Sequence, residues 1–186
     1  MKRHFTTTHE DHRIALLAAL AISIHIIESA FPSPLPGVKP GLANVITLFT
    51  FIRYGWQTAL QVSLLRVVIS SLLLGTFLSP TFLLSLSGAL FSLGCLTLLQ
   101  WPFRYFSLLY YQPGAIGYAL IASISHMSAQ FLAAWYFFIP HPGLFKLFPI
   151  LITFAVILGL VSGIITQLLL RRIYDKLAKP SCRQAS

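Results

Sequence analysis

Residues Leu147–Leu170 read LFPILITFAVILGLVSGIITQLLL, a run without a charged residue that ends directly on Arg171-Arg172. It exceeds the roughly 20 apolar residues that an α-helix needs to cross a bilayer. It also lacks the apolar/polar alternation of a membrane β-barrel strand. Five further apolar segments precede it: Ile14–Phe31, Gly41–Ile52, Thr58–Leu78, Thr81–Trp101 and Gly114–Ile139. The second is short for a crossing; it is tilted, extended through Lys39-Pro40, or re-entrant. The whole chain has the same character, with 56% hydrophobic and 9% charged residues and a mean hydropathy of +0.80, against roughly 25% charged in a soluble domain. Six crossings occupy about 120 residues of the 186, which leaves no room for a soluble catalytic domain. The expected fold is therefore an all-α integral membrane protein. A six-helix bundle over 14–170 is flanked by a polar tail, 1–13, and a basic tail, 171–186. Five spans follow the first, so that first span is expected to be a retained helix rather than a cleaved signal peptide.

Thirteen basic and four acidic residues leave a net charge of +9. In a soluble chain that excess would suggest nucleic acid. In a membrane chain it sets orientation, because cytoplasmic segments collect Lys and Arg. With the N-terminus inside, the cytoplasmic segments carry Lys2, Arg3, Arg13, Arg53, Arg104, Arg171, Arg172, Lys176, Lys179 and Arg183, and the outer loops only Lys39 and Lys146. Both termini are expected on the cytoplasmic side of a bacterial inner membrane, with no nucleic-acid partner. Trp101-Pro102-Phe103-Arg104-Tyr105-Phe106 and Tyr110-Tyr111 read as an aromatic belt at the lipid–water boundary.

Two pairs of small residues permit close helix approach. Ala15 and Ala19 lie in the first span, Gly159 and Gly163 in the sixth; each pair serves either bundle packing or the docking of a partner subunit. The first outer loop, Pro32-Ser33-Pro34-Leu35-Pro36-Gly37-Val38-Lys39-Pro40-Gly41, holds four prolines and two glycines and is stiff and irregular. Irregular backbone at membrane depth must be buried or line a cavity. The loop is thus either a plain turn or the rim of an outward cavity. Cys95 lies in a span and Cys182 in the tail, so no disulfide is expected. His4, His9 and His12 lie in a polar tail, a poor metal site without supporting residues, and neither a metal nor a cofactor is expected.

Polar groups inside spans are the most informative residues, since an ionisable group in the bilayer is costly unless paired or facing a cavity. Glu28, Asn44, Arg66, His126 and Gln130 stand out, with Lys39 at the outer mouth. Arg66 is 12 residues from Leu78, about 18 Å along a helix, too far for snorkelling. It must face the bundle, either paired internally or binding an anionic group such as phosphate or carboxylate. His126 and Gln130 are four apart and share a helical face, as packing residues or as a cavity wall. Glu28, by rise alone about 13 Å above Arg66, is expected to meet Lys39, or Asn44 and the loop backbone.

Pro36-Gly37-Val38-Lys39-Pro40-Gly41-Leu42-Ala43-Asn44, together with Glu28-Ser29, Ser63-Leu64-Leu65-Arg66, Leu84-Ser85-Leu86-Ser87-Gly88 and the His126/Gln130 pair, resembles the signature of the Gx transporter family. That family is also called heptaprenyl diphosphate synthase component I. Pro40 and Met127 depart from its usual Leu and Asn. The family is similar to the substrate-binding S components of energy-coupling-factor transporters. The resemblance implies six helices, an outward cavity closed by the first outer loop, and a first helix that docks a transmembrane coupling subunit working with ATPases, here through Ala15 and Ala19. It implies a site for a small anionic or amphipathic metabolite made by Glu28, Lys39, Asn44, Arg66, His126 and Gln130 beneath Pro36, Gly37 and Gly41. The synthase name implies instead a noncatalytic membrane component that binds an isoprenoid ligand or membrane lipid. Prenyl transfer needs Asp-rich Mg²⁺ sites, and the chain has no adjacent aspartates, so it is not expected to catalyse that reaction alone.

Overall fold

The computed structural model describes residues 9–30, 42–105 and 113–178, with side chains through 102 and 176 in the last two stretches. The first outer loop, with Pro36, Gly37, Lys39 and Gly41, lies outside the described residues. So do Lys2, Arg3, His4, Lys179, Cys182, Arg183, the Arg104 side chain and most of the aromatic belt.

The described chain is all-helical: α1 (His9–Ala30), α2 (Leu42–Tyr54), α3 (Trp56–Leu73), α4 (Pro80–Tyr105), α5 (Ala115–Phe137) and α6 (Phe148–Ala178), with a 3-10 turn at Pro142–Lys146. Five of these are long and apolar enough to cross a membrane, and α2 is shorter. The 13 residues of α2 reach about 20 Å, against a hydrocarbon core of about 30 Å. Two ends of the bundle are more helical than the sequence suggests, since α1 begins at His9 within the polar tail and α6 runs through Arg171 and Arg172 to Ala178.

The bundle is inside-out relative to a soluble protein. Leu16, Leu98, Leu132, Ile157 and Leu168 are exposed, while Thr50, Ser63, Ser70 and Thr166 are buried. Apolar side chains gain little by leaving lipid for protein, so helix association relies on close packing. At the α5–α6 interface, a Cβ on Gly159 would stand 2.9 Å from the Ser123 hydroxyl, and one on Gly163 would stand 2.8 Å from the Ile116 Cα. The Gly159/Gly163 pair is thus used for packing within the bundle. Ala15 and Ala19 have the opposite placement and are exposed on the outer face of α1, whereas Ala18 and Ala21 face inward.

At the centre lies α2, packed against α1, α3, α5 and α6. Only Gly55 separates it from α3, at φ 91° and ψ 178°, a combination open essentially to glycine alone. The reversal lays α2 and α3 side by side and antiparallel, so residues equidistant from Gly55 share a depth. Phe51 and Ala59, both in one core cluster, are four from the turn; Thr47 and Ser63 are eight; Asn44 and Arg66 are eleven.

The third span corrects the expected boundary at Leu78. It ends at Leu73, where the Gly75 N–H donates to the Leu72 carbonyl and the Thr76 N–H to that of Ser71. With Gly75 at φ 68°, this is a Schellman termination, in which a left-handed glycine lets the chain bond back onto the last turn. The apolar residues up to Leu78 belong to the turn. Ser79-Pro80 then opens α4, proline being suited to a first helical position. Arg66 therefore stands seven residues from the end of α3, not twelve.

A Cβ added at Gly55 or at Gly94 would meet open space, but only Gly55 has a positive φ. Gly55→Ala is expected to lower stability by about 1–3 kcal/mol, whereas Gly94→Ala, in the middle of α4, should leave it unchanged or raise it slightly. Thermal unfolding of the detergent-purified variants, followed by circular dichroism, checks the pair.

Candidate functional site

The polar site grows from the start of α2. The first N–H groups of that helix are capped from a neighbouring helix, by the Glu28 carboxylate of α1. It accepts from the Leu42 N–H and from the Ala43 N–H at 3.4 Å. A carboxylate at a helix N-terminus satisfies orphan donors and sits at the positive end of the helix dipole. Glu28 lies in the last turn of α1, where that helix's own dipole disfavours an anion, so α2 supplies the compensation. Glu28 is buried, at 6% exposure.

Two residues further along α2, Asn44 turns its Oδ1 to Arg66 of α3, whose Nη1 donates at 2.8 Å. Arg66 is also 6% exposed and lies within electrostatic reach of Glu28 and of His126. Helical rise alone set Glu28 about 13 Å above Arg66. That offset is smaller because α3 ends five residues early, at Leu73. Glu28 does meet the backbone at the loop's end, and Asn44 is bound by Arg66 instead of by Glu28. Arg66 also anchors its own helix, since its carbonyl accepts from the Ser70 hydroxyl at 2.5 Å.

His126 and Gln130 share one face of α5 and lie against Gly88 of α4. The imidazole packs closely on the Gly88 backbone. A Cβ at position 88 would stand 2.8 Å from the ring and 2.9 Å from the Gln130 Cγ. Five helices thus contribute to one connected region: Glu28, Asn44, Arg66, Gly88 and the His126/Gln130 pair.

Three buried polar atoms at the α2–α3 seam have no hydrogen-bond partner among the described residues: Arg66 Nε, Thr47 Oγ1 and Ser63 Oγ. Thr47 is one turn from Asn44, and Ser63 one turn from Arg66, on the same faces. Thr47 carries no signal in the sequence and Ser63 stands out only within the Ser63–Arg66 motif, although their equal distance from Gly55 was readable. Gly88 stood out only as part of a motif; no local pattern marks a helical glycine as the seat of a histidine. Among the described residues no group of three or more His, Cys, Asp or Glu could hold a metal ion.

Long apolar helices enclosing a charged and amide-bearing core define a multi-pass helical membrane protein with a buried polar site. The profile of the heptaprenyl diphosphate synthase component I family matches residues 17–169, from α1 to α6. The chain belongs to that family. No curated protein and no solved structure matches it.

Gly88→Ala is expected to destabilise the protein by about 1–3 kcal/mol through overpacking. Adding His126→Ala should recover part of that loss, because the ring is one side of the clash and the Gln130 Cγ the other. A thermal-unfolding double-mutant cycle measures the coupling; additive effects would separate Gly88 from His126.

Proposed function

We propose that this protein is a substrate-binding membrane component of the S-component type. It sits in a bacterial inner membrane with six crossings, α2 included, and both termini in the cytoplasm. It takes a small anionic or amphipathic metabolite from the outer side, with Asn44, Arg66, His126 and Gln130 as the floor, Glu28 and Lys39 as the outer wall, and Pro36, Gly37 and Gly41 in the loop above. Ala15 and Ala19, on the outward face of α1, dock a transmembrane coupling subunit that works with ATPases.

The observation that carries this reading is the orphaned polar set beside a buried guanidinium. A guanidinium has five N–H donors in a fixed fork. Asn44 engages Nη1, while Nε and two neighbouring hydroxyls stay unpartnered among the described residues. Leaving buried donors unmade costs about 1–3 kcal/mol each, and a ligand carrying acceptor oxygens removes that cost. In this arrangement Glu28 is the resident anion of the site. An anionic ligand adds its oxygens on the Nε side or displaces Glu28 from the α2 N-terminus.

Native mass spectrometry of gently solubilised protein is expected to find a co-purifying small molecule. Arg66→Leu should abolish its retention and Arg66→Lys should weaken it, because a point charge lacks the planar fork. Retention unchanged in Arg66→Leu would remove Arg66 from the floor.

Family membership supports a second reading, a noncatalytic membrane component of heptaprenyl diphosphate synthesis. The chain then binds an isoprenoid ligand or tethers a soluble, Asp-rich catalytic partner to the membrane. Co-purification with such a synthase, and loss of long-chain product on deletion of this chain, are its expected outcomes.

A further inference from the structure

The other end of α2 carries a different arrangement. Arg53 and Tyr54 close α2, Arg13 lies in the first turns of α1, and Tyr174 lies in the last turns of α6. Directly inward of them, Leu17, Ala21, Phe49 and Val62 form an apolar cluster, with Ile14 and Ile173 packed against it. That cluster brings the three helix ends together. Tyr54 is held edge-on against Phe49, with ring centres 6.2 Å apart. The Arg13 guanidinium lies 5.3 Å from the centre of the Tyr54 ring. Arg53 lies 5.8 Å from the same ring and 5.8 Å from that of Tyr174. Two cations from different helices therefore share one aromatic ring at the edge of the bundle.

We propose that Arg13 and Arg53, braced by Tyr54 and Tyr174, clamp the phosphate or diphosphate group of a molecule with an apolar tail. Stacking on a ring occupies the face of a guanidinium and leaves its N–H edges free, and those edges match phosphate oxygens two at a time. Like charges gathered on one ring repel; Glu10 and Asp11 answer the positive dipole end of α1 in its first turn but do not stand between the two guanidiniums and the ring they share. An anion bound by both arginines relieves that repulsion. Phosphate is the anion of this layer, because the residues stand where apolar helices give way to charge, at the level of lipid headgroups. The tail has a track as well. Leu16 and Leu20 follow Arg13 at the spacing of one helical face, and both are exposed, at 63% and 47%. The site is separate from the Arg66 region and does not depend on its function.

A phospholipid headgroup and an isoprenoid diphosphate offer the same chemistry, and the test separates them. The full chain is placed in phosphatidylcholine nanodiscs containing phosphatidylglycerol, or farnesyl diphosphate, or inorganic pyrophosphate, and bound molecules are counted by native mass spectrometry. Selective retention of phosphatidylglycerol identifies the headgroup, and retention of farnesyl diphosphate identifies the isoprenoid. In either case R13Q/R53Q is expected to reduce retention about tenfold or more, on the scale of two basic residues' attraction to an anionic surface. Tyr54→Leu, which keeps both charges and removes the shared ring, should reduce it too. R171Q/R172Q removes the same charge from neighbouring positions on α6 and should leave retention intact. Equal losses in the two double variants would reduce the effect to a diffuse field and overturn the site. So would equal retention of phosphatidylglycerol and phosphatidylcholine with no farnesyl diphosphate bound, or pyrophosphate held as tightly as farnesyl diphosphate.

Discussion

A guanidinium that cannot reach water constrains everything packed around it. Arg66 is buried inside the bundle, and an uncompensated cation inside a bilayer costs several kcal/mol. Its acceptor, the Asn44 amide, is available only because α2 begins at that depth. The start of α2 in turn presents N–H groups without carbonyl partners in their own helix, and Glu28 of α1 accepts from them. Each polar group in this series meets one on the next helix. The cation, the amide, the helix N-terminus and the carboxylate therefore form one chain of dependence across α3, α2 and α1. Removing a middle member strands the others in a medium that cannot solvate them.

Gly55 sets the register of that chain. A one-residue reversal fixes α2 against α3 without slack, so that eleven residues on one side meet eleven on the other. The seam is apolar near the turn, at Phe51 and Ala59, and polar at its far end, at Asn44 and Arg66. The remaining helices are held by shape rather than by charge. Gly159 and Gly163 let α6 approach α5 until backbone nearly meets side chain, which is how helices associate where apolar burial drives little. A polar hairpin is thus set within a close-packed frame, and the orphaned hydroxyls of Thr47 and Ser63 lie on the hairpin.

Much of this was legible in the residues. Runs such as Leu147–Leu170 announce membrane helices by length alone, and Arg66, Glu28 and His126 stand out because each is expensive where it is. Other features depend on facts that hydropathy does not encode. Leu74–Leu78 is as apolar as the helix before it, so only the left-handed Gly75 separates turn from span. The same misplacement put Arg66 deeper than it is and Glu28 too far above it. The small-residue pairs were equivocal because Ala15/Ala19 and Gly159/Gly163 have one spacing and opposite outcomes. The neighbours decide: bulky Leu16 and Leu20 turn the α1 face outward, while Ser162 and Thr166 share the buried side of α6.

The brevity of α2 ties the two ends of the molecule together. A helix of about 20 Å within a core of about 30 Å cannot place both its termini in water. Its unpaired N–H groups at one end and carbonyls at the other must be met by protein. The chain supplies opposite charges for the two ends, Glu28 at the N-terminus and Arg53 at the C-terminus, each with the sign that the helix dipole favours. Those charges then need partners of their own. Glu28 stands within reach of Arg66, and Arg53 rests on Tyr54 and Tyr174 beside Arg13. A chain with four carboxylates among 186 residues has committed one of them to the N-terminal end of this helix. At the C-terminal end it gathers cations on aromatic rings, with the other three carboxylates, Glu10, Asp11 and Asp175, on the neighbouring ends of α1 and α6.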